Sequence, residues 1–274
     1  MKHKYQQMDK KFNVMKSYST KKILMLMVAA ALLCPLGVSA QTLRGDYNYD
    51  GSFNISDLSA LIGYVLNDEW NDEPLDLERD TITVNGVSFV MVHVEGGMLT
   101  RSDGGMYAIN DFWICKTEVT IGLWAAVMGG YPRTPQNPLS MHSWNDCQEF
   151  IDKLNAYTGR QFRFPTCNEW EYAARGGNRS NGYTYCGGNR LDVVGWYKGN
   201  CSKNMPVGLL KCNELGLYDM SGNLSEWCQD AYSSQAHYRC GGNYYEDAAS
   251  NTPSMRRYSP NSSAIAGIGF RLAM

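Results

Sequence analysis

From Gly176 to the C-terminus the chain shows no sustained apolar periodicity, and glycine, asparagine and tyrosine dominate it. A stretch of that length without a helical or a two-residue rhythm does not build a helix bundle or a regular barrel. It has to be held as long irregular loops, for which the 27 glycines, 18 tyrosines and 7 tryptophans are suited, because aromatic rings bury large areas from isolated positions. Ahead of Gly176 the pattern is regular. "TITVNGVSFVMVHV" alternates like a strand pair, with Asn85-Gly86 as its tight turn. "TEVTIGLWAAVMGG" and "SWNDCQEFIDKLNAYTG" read as amphipathic helices stopped by glycine. Ser143 with Asp146, and Thr166 with Glu169, have the spacing of capping boxes at helix starts. The expectation is an α+β domain over residues 81–274.

The N-terminus reads differently. "KKILMLMVAAALLCPLGVSAQ" joins two lysines, an apolar run from Ile23 to Cys34, and Val38-Ser39-Ala40 as a small-residue cleavage site. That is the pattern of a secretory signal peptide over residues 1–40, with Met15 a more typical start than Met1. The apolar run ends at Pro35 and is shorter than the ~20 residues of a membrane span. Leu33 is too large for the small residue that precedes a lipoprotein cysteine. The expected product is exported to the periplasm or surface of a bacterium, with no transmembrane segment left after cleavage. Removing residues 1–40 takes away seven Lys and one Asp and leaves a net charge of −8, which argues against nucleic acid as a partner. Eight of the nine cysteines remain. An even number in an exported chain points to disulfides, and without a CxxC a zinc ribbon or thioredoxin-like site is not expected.

After the signal peptide, "GDYNYDGSFNISD" places Asp46, Asn48, Asp50, Ser52 and Asp57 at positions 1, 3, 5, 7 and 12 of a calcium loop, with Gly51 at the sharp turn. Leu58, Leu61, Ile62 and Val65 follow at helical spacing. This EF-hand-like loop and helix, residues 41–67, resembles one repeat of a type I dockerin, which normally has two. A calcium-stapled spacer that docks with nothing fits the residues equally. Residues 68–80 are acidic, contain Pro74 and read as a linker.

Several ordered blocks in the remainder carry a second resemblance: "KTEVTIGLWAAVMGG", "SWNDCQEFIDKLNAYTGRQFRFPTCNEWEYAARGG", "PVGLLKCNELGLYDMSGNLSEWCQD" and the closing "GIGFRLAM". They are similar to the formylglycine-generating enzyme, or sulfatase-modifying factor, family, over about Thr81 to Met274. The resemblance implies a variant of the C-type lectin-like fold, with a small antiparallel sheet, two or more helices and much irregular loop stabilised by calcium and disulfides. Catalytic members of that family convert a sulfatase cysteine to formylglycine with two cysteines in a GGS-x-x-C-x4-C block that holds copper. Laid on this chain from Gly241-Gly242, the block puts Asn243 at its serine, Glu246 at its first cysteine and Asn251 at its second. A carboxylate and an amide do not replace a two-thiolate Cu(I) site, so copper is not expected there.

What the resemblance leaves is binding. Trp227 corresponds to a tryptophan of the family's substrate groove, and Asn243, Tyr244, Tyr245, Glu246, Arg256, Arg257 and Tyr258 would line the same groove. Asn223 and Glu226 in "MSGNLSEW" match the family's calcium turn. Cys228 with Cys240 is the expected disulfide near this site, and Cys201 with Cys212 a second, local one. His93, His142 and His237 are scattered singly, and no GxSxG, phosphate loop or dinucleotide fingerprint is present. The expected function is therefore a non-catalytic, calcium-stabilised domain that binds a protein or glycan at the cell envelope. A divergent oxidase or sulfatase activator with a non-standard site is the alternative.

Overall fold

In the computed structural model, which describes residue 74 and residues 76–274, Asn85-Gly86 turns the first hairpin. Both residues are left-handed (φ 48° and 81°), as a two-residue turn matched to strand twist requires. It joins β1 (Arg79–Val84) to β2 (Val87–Val94), antiparallel with Val84 opposite Val87. The alternation read from the sequence holds here, for Ile82 and Val84 are buried while Thr81 and Thr83 are exposed. β3 (Gly97–Thr100) and β4 (Met106–Ile109) form a separate ribbon, and β5 (Phe112–Cys115) adds to the free edge of β2.

Three helices follow at their expected places. α1 (Ile121–Met128) is capped by the Thr120 hydroxyl, which accepts the Leu123 N–H. α2 (Trp144–Thr158) starts on the Ser143–Asp146 capping box and stops at Gly159 in the left-handed region. α3 (Cys167–Ala174) starts on the Thr166–Glu169 box. A single turn, α4 (Leu191–Val194), lies in the long connection that follows.

Past Gly176 the structure departs from a purely irregular reading. β6 (Ser225–Ser233), β7 (Ala236–Cys240), β8 (Arg256–Pro260) and β9 (Ile268–Gly269) form a sheet in the order β8-β7-β6-β9. Its rhythm is hidden for a physical reason. Residues 225–228 of β6 are buried on both faces, and the β6–β7 register shifts twice between Trp227 and Ser233, so no two-residue alternation survives in the sequence.

Two apolar clusters result. Phe89, Phe150, Phe164, Trp227 and Phe270 pack between the first sheet, α1 and α2. Trp170, Leu217, Cys167, Cys228 and Cys240 pack between α3 and the second sheet. The C-terminal residues run through the middle, with Cys115 donating to the Leu272 carbonyl (2.7 Å) and Arg163 to that of Ala273 (2.9 Å).

By compactness the chain falls into two units, Met1–Trp70 and Asn71–Met274. The expected signal peptide and the calcium loop with Asp46, Asn48, Asp50, Ser52 and Asp57 lie outside the described residues. Of the acidic stretch, Asp76 is paired with Arg179 (2.8 Å), and β1 begins at Arg79, inside the segment expected as a linker. Among the described residues no helix is long and apolar enough to cross a membrane.

Candidate functional site

Three elements converge on the chain from Cys240 to Arg257: the start of β6, the end of β7 and the N-terminus of α3. Gly241 and Gly242 have φ of 93° and 70°. A Cβ at Gly242 would sit 2.2 Å from the Ser250 carbonyl, and one at Gly241 would sit 2.9 Å from the Trp170 ring. Only glycine fits this double turn, which folds residues 243–251 back over the sheet.

In that loop Asn243 is fully buried, its side-chain Oδ1 accepting the Tyr245 N–H (3.2 Å). Glu246 is ion-paired with Arg257, which also donates to the Ser250 hydroxyl (3.1 Å). Asn251 is fully buried and donates to the carbonyls of Asp247 (2.9 Å) and Glu246 (3.4 Å). The remaining oxygens, Glu246 Oε2 and Asn251 Oδ1, are buried without a protein partner. Tyr244 is half-buried with its ring edge-on to Tyr245 (5.1 Å), and the Tyr245 hydroxyl donates to Ala266 O (3.1 Å). These residues come together, but Asn243, expected to line a groove, has no exposed surface.

Two others do not join them. Trp227 has no exposed surface and belongs to the core with Phe150 and Phe270, so it does not line a groove. Arg256 turns to α3, donating to Cys167 O (3.0 Å), Asn168 Oδ1 (2.8 Å) and Glu171 Oε2 (3.0 Å). The cause is strand alternation: on β8, Arg257 faces Glu246, so Arg256 and Tyr258 take the opposite face. There Tyr258 stacks on Tyr232 (3.6 Å, 2°), and Tyr238 meets Tyr232 edge-on (5.7 Å). Tyr232 and Tyr258 are each about half exposed. Tyr232 was not legible as a partner, because the β6 bulges alone bring it across to Tyr258.

The calcium turn does not fit either. Both Glu226 oxygens are held by Arg271 (2.6 and 2.7 Å), and one also accepts the Trp170 indole N–H (2.6 Å). Asn223 spends its amide on the Met205 main chain and Glu118. A cation would compete with a guanidinium already seated at the same carboxylate.

The expected disulfides are not formed: Cys201, Cys228 and Cys240 are free thiols. Cys228 Sγ lies 3.6 Å from Cys240 Sγ, and a third sulfur, that of Cys167, joins them. All three lie within 4.8 Å of one another and are buried. Hydrogen bonds from Cys228 and Cys240, together with the Arg256 charge, pull the Cys167 thiol down to about 4 against its burial. Burial pushes Cys228 far up, and its hydrogen bond to Cys167 raises Cys240. Cys167 was missed as a member because nothing in its sequence neighbourhood couples it to residues 228 and 240.

The family described as "Sulfatase-modifying factor enzyme 1-like domain" matches this chain over residues 69–274. The chain belongs to that family. A sulfatase-modifying factor domain of this kind is 32% identical to the "Chaperone protein LppX" of Paenibacillus barcinonensis, over 54% of this chain and 73% of that protein. It is 32% identical to a "Formylglycine-generating enzyme" of Thermomonospora curvata, over 42% of this chain and 44% of that one, less than half the enzyme's length. An "Inactive C-alpha-formylglycine-generating enzyme 2" of Mus musculus is 33% identical over 54% of this chain and 49% of its own. Among solved structures, "Treponema denticola variable protein 1" superposes with a TM-score of 0.65 at 25% identity, covering 73% of this chain and 99% of that one. PvdO from Pseudomonas aeruginosa, at 20% identity and a TM-score of 0.58 (67% and 93% covered), shares the fold. The mixed α and β architecture is thus the one sulfatase-modifying factor domains adopt.

Proposed function

We propose that this domain acts by binding a protein or glycan of the cell envelope and does not generate formylglycine. The observation that carries this reading is the pairing of Glu246 with Arg257 beside the buried amide of Asn251. In the family resemblance these two positions hold the copper thiolates. An ion-paired carboxylate and an amide whose N–H groups are bonded to main-chain carbonyls offer no soft ligand for Cu(I), so that group does not fit and no step is routed through it. The relative described as inactive, and the one described as a chaperone, are consistent with a scaffold kept for binding. The stacked Tyr232–Tyr258 face supplies what recognition uses: exposed aromatic area held in place by stacking.

Export through the segment of residues 1–40, and a calcium held by Asp46, Asn48, Asp50, Ser52 and Asp57, belong to the same reading. Retention of the purified chain on envelope polysaccharide or on envelope protein, weakened at least tenfold in Tyr258→Ala, is the expected result. Oxygen consumption on a cysteine-containing sulfatase-motif peptide would overturn it in favour of a divergent sulfatase activator.

A further inference from the structure

We propose that Cys167, Cys228 and Cys240 form a buried three-thiolate site for one thiophilic d10 cation, Cu(I) or Zn(II). Metal–sulfur bonds of about 2.3 Å separate the sulfurs of one ion by roughly 3.8–4.0 Å. The structure brackets that spacing, with 3.6 Å between Cys228 and Cys240 and every pair within 4.8 Å. Among the described residues this is the one such group of histidine, cysteine or carboxylate side chains. Its members come from three separate elements: the first residue of α3, β6, and the last residue of β7.

Simple core filling is the competing account, since a buried cysteine behaves as a small hydrophobe. Core filling asks only for apolar contact, and it leaves each sulfur free to pack where space allows. Cys147 does so in the other cluster, and Cys186 bonds the Met220 carbonyl (2.9 Å). Three sulfurs pointed at one another from three elements form instead a concave soft-ligand set. Their surroundings suit the charge that would result. Three thiolates around Zn(II) or Cu(I) leave an excess of one or two negative charges. The Arg256 guanidinium lies against the Cys167 carbonyl (3.0 Å), and Cys167 is the first residue of α3, where the helix dipole favours negative charge. Asp230, whose carboxylate accepts the Cys167 N–H (2.6 Å), fixes the main chain of the first ligand. With each cysteine no more than 1% exposed, the ion would be taken up as the domain folds, and its binding energy would count as folding energy. The site borders the Glu246–Arg257 loop through Cys240 and Arg256 but takes no ligand from it, so metal retention is decided separately from the binding role.

The test is metal retention by the full chain, reduced under anaerobic conditions and offered Zn(II), Cu(I) or Co(II) alone. One equivalent kept through gel filtration is expected, with sulfur-to-cobalt charge-transfer bands in the Co(II) form and a lower melting temperature after chelation. Retention of zinc, copper or both decides which ion the site prefers. Cys228→Ser and Cys240→Ser should each lose the metal while Cys186→Ser keeps it. If a serine variant fails to fold, the chelation experiment on the wild-type chain still decides. Peptide mapping that finds a bond between two of the three cysteines, with no metal retained after reduction, would overturn the proposal.

Discussion

Arg271 and Glu226 form a two-pronged ion pair, Nε to Oε2 at 2.6 Å and Nη2 to Oε1 at 2.7 Å, with neither side chain exposed to solvent. Arg271 also donates to the carbonyls of Cys115 (3.1 Å) and Tyr218 (2.9 Å). One guanidinium therefore ties the first sheet, the long connection and β6 to the C-terminal segment. Removing one partner strands the other in a dry interior, which costs about 3–5 kcal/mol. Arg271→Met and Glu226→Gln are each expected to lower the unfolding free energy in urea by that order. Replacing both with apolar residues should cost less than the sum of the two. Strict additivity in the double-mutant cycle would show that the pair is not coupled.

The double-glycine turn gives the second prediction. Gly242 combines a φ of 70° with a Cβ position 2.2 Å from a main-chain carbonyl, and that carbonyl cannot swing away as a side chain would. Gly242→Ala should destabilise by more than the ~1 kcal/mol of left-handed strain alone. Gly104 has a similar φ of 83°, but nothing lies within 4 Å of its Cβ position. Gly104→Ala should therefore be clearly milder in the same thermal melt.

How much of this was legible in the sequence depends on how local each signal is. The hairpin at Asn85-Gly86 and the helix starts at Ser143 and Thr166 are set by neighbours within four residues, and all three formed where expected. The loop residues Asn243 to Asn251 lie together because they are neighbours in the chain, but the burial of Asn243 and Asn251 was not legible. Trp227 and Arg256 were misplaced because their direction depends on which sheet face the strand buries, a tertiary property. Cys167 and Tyr232 were unreadable as partners: each finds its neighbours across the second sheet, and its register is set by bulges.

Capping supplies a third prediction. The Ser143 hydroxyl accepts the Asp146 N–H (3.2 Å), and Asp146 returns a bond to the Ser143 N–H (2.8 Å). The Ser143 hydroxyl also donates to Asp146 Oδ2 (2.6 Å), which holds the Asp146 carboxyl below its ordinary range. Ser143→Ala should cost about 1 kcal/mol, a fall of roughly 2–4 °C in melting temperature for a domain of this size. Ser143→Asp, which keeps an acceptor at the cap, should restore much of it. An alanine variant as stable as wild type would mean that packing alone fixes the start of α2.

Asp219 should make stability depend on pH in a direction opposite to most carboxylates. Burial pushes it up to about 6 from an ordinary 3.8, against the Gly208 N–H (2.7 Å) and the Arg271 charge, while Glu226 adds repulsion. Glu118, buried close by, is raised by burial and by Asp219 itself. The folded value lies above the unfolded one, so the stability tied to the protonated form is complete below 3.8 and lost as pH rises through 6. Asp219→Asn removes that titration. It keeps an oxygen for the Gly208 N–H and tolerates the left-handed backbone at this position, φ 58°. Between pH 4 and 7 the wild type should therefore lose on the order of 1–3 kcal/mol relative to the variant in urea unfolding. Parallel stability profiles for the two proteins would assign the pH dependence to Glu118 instead.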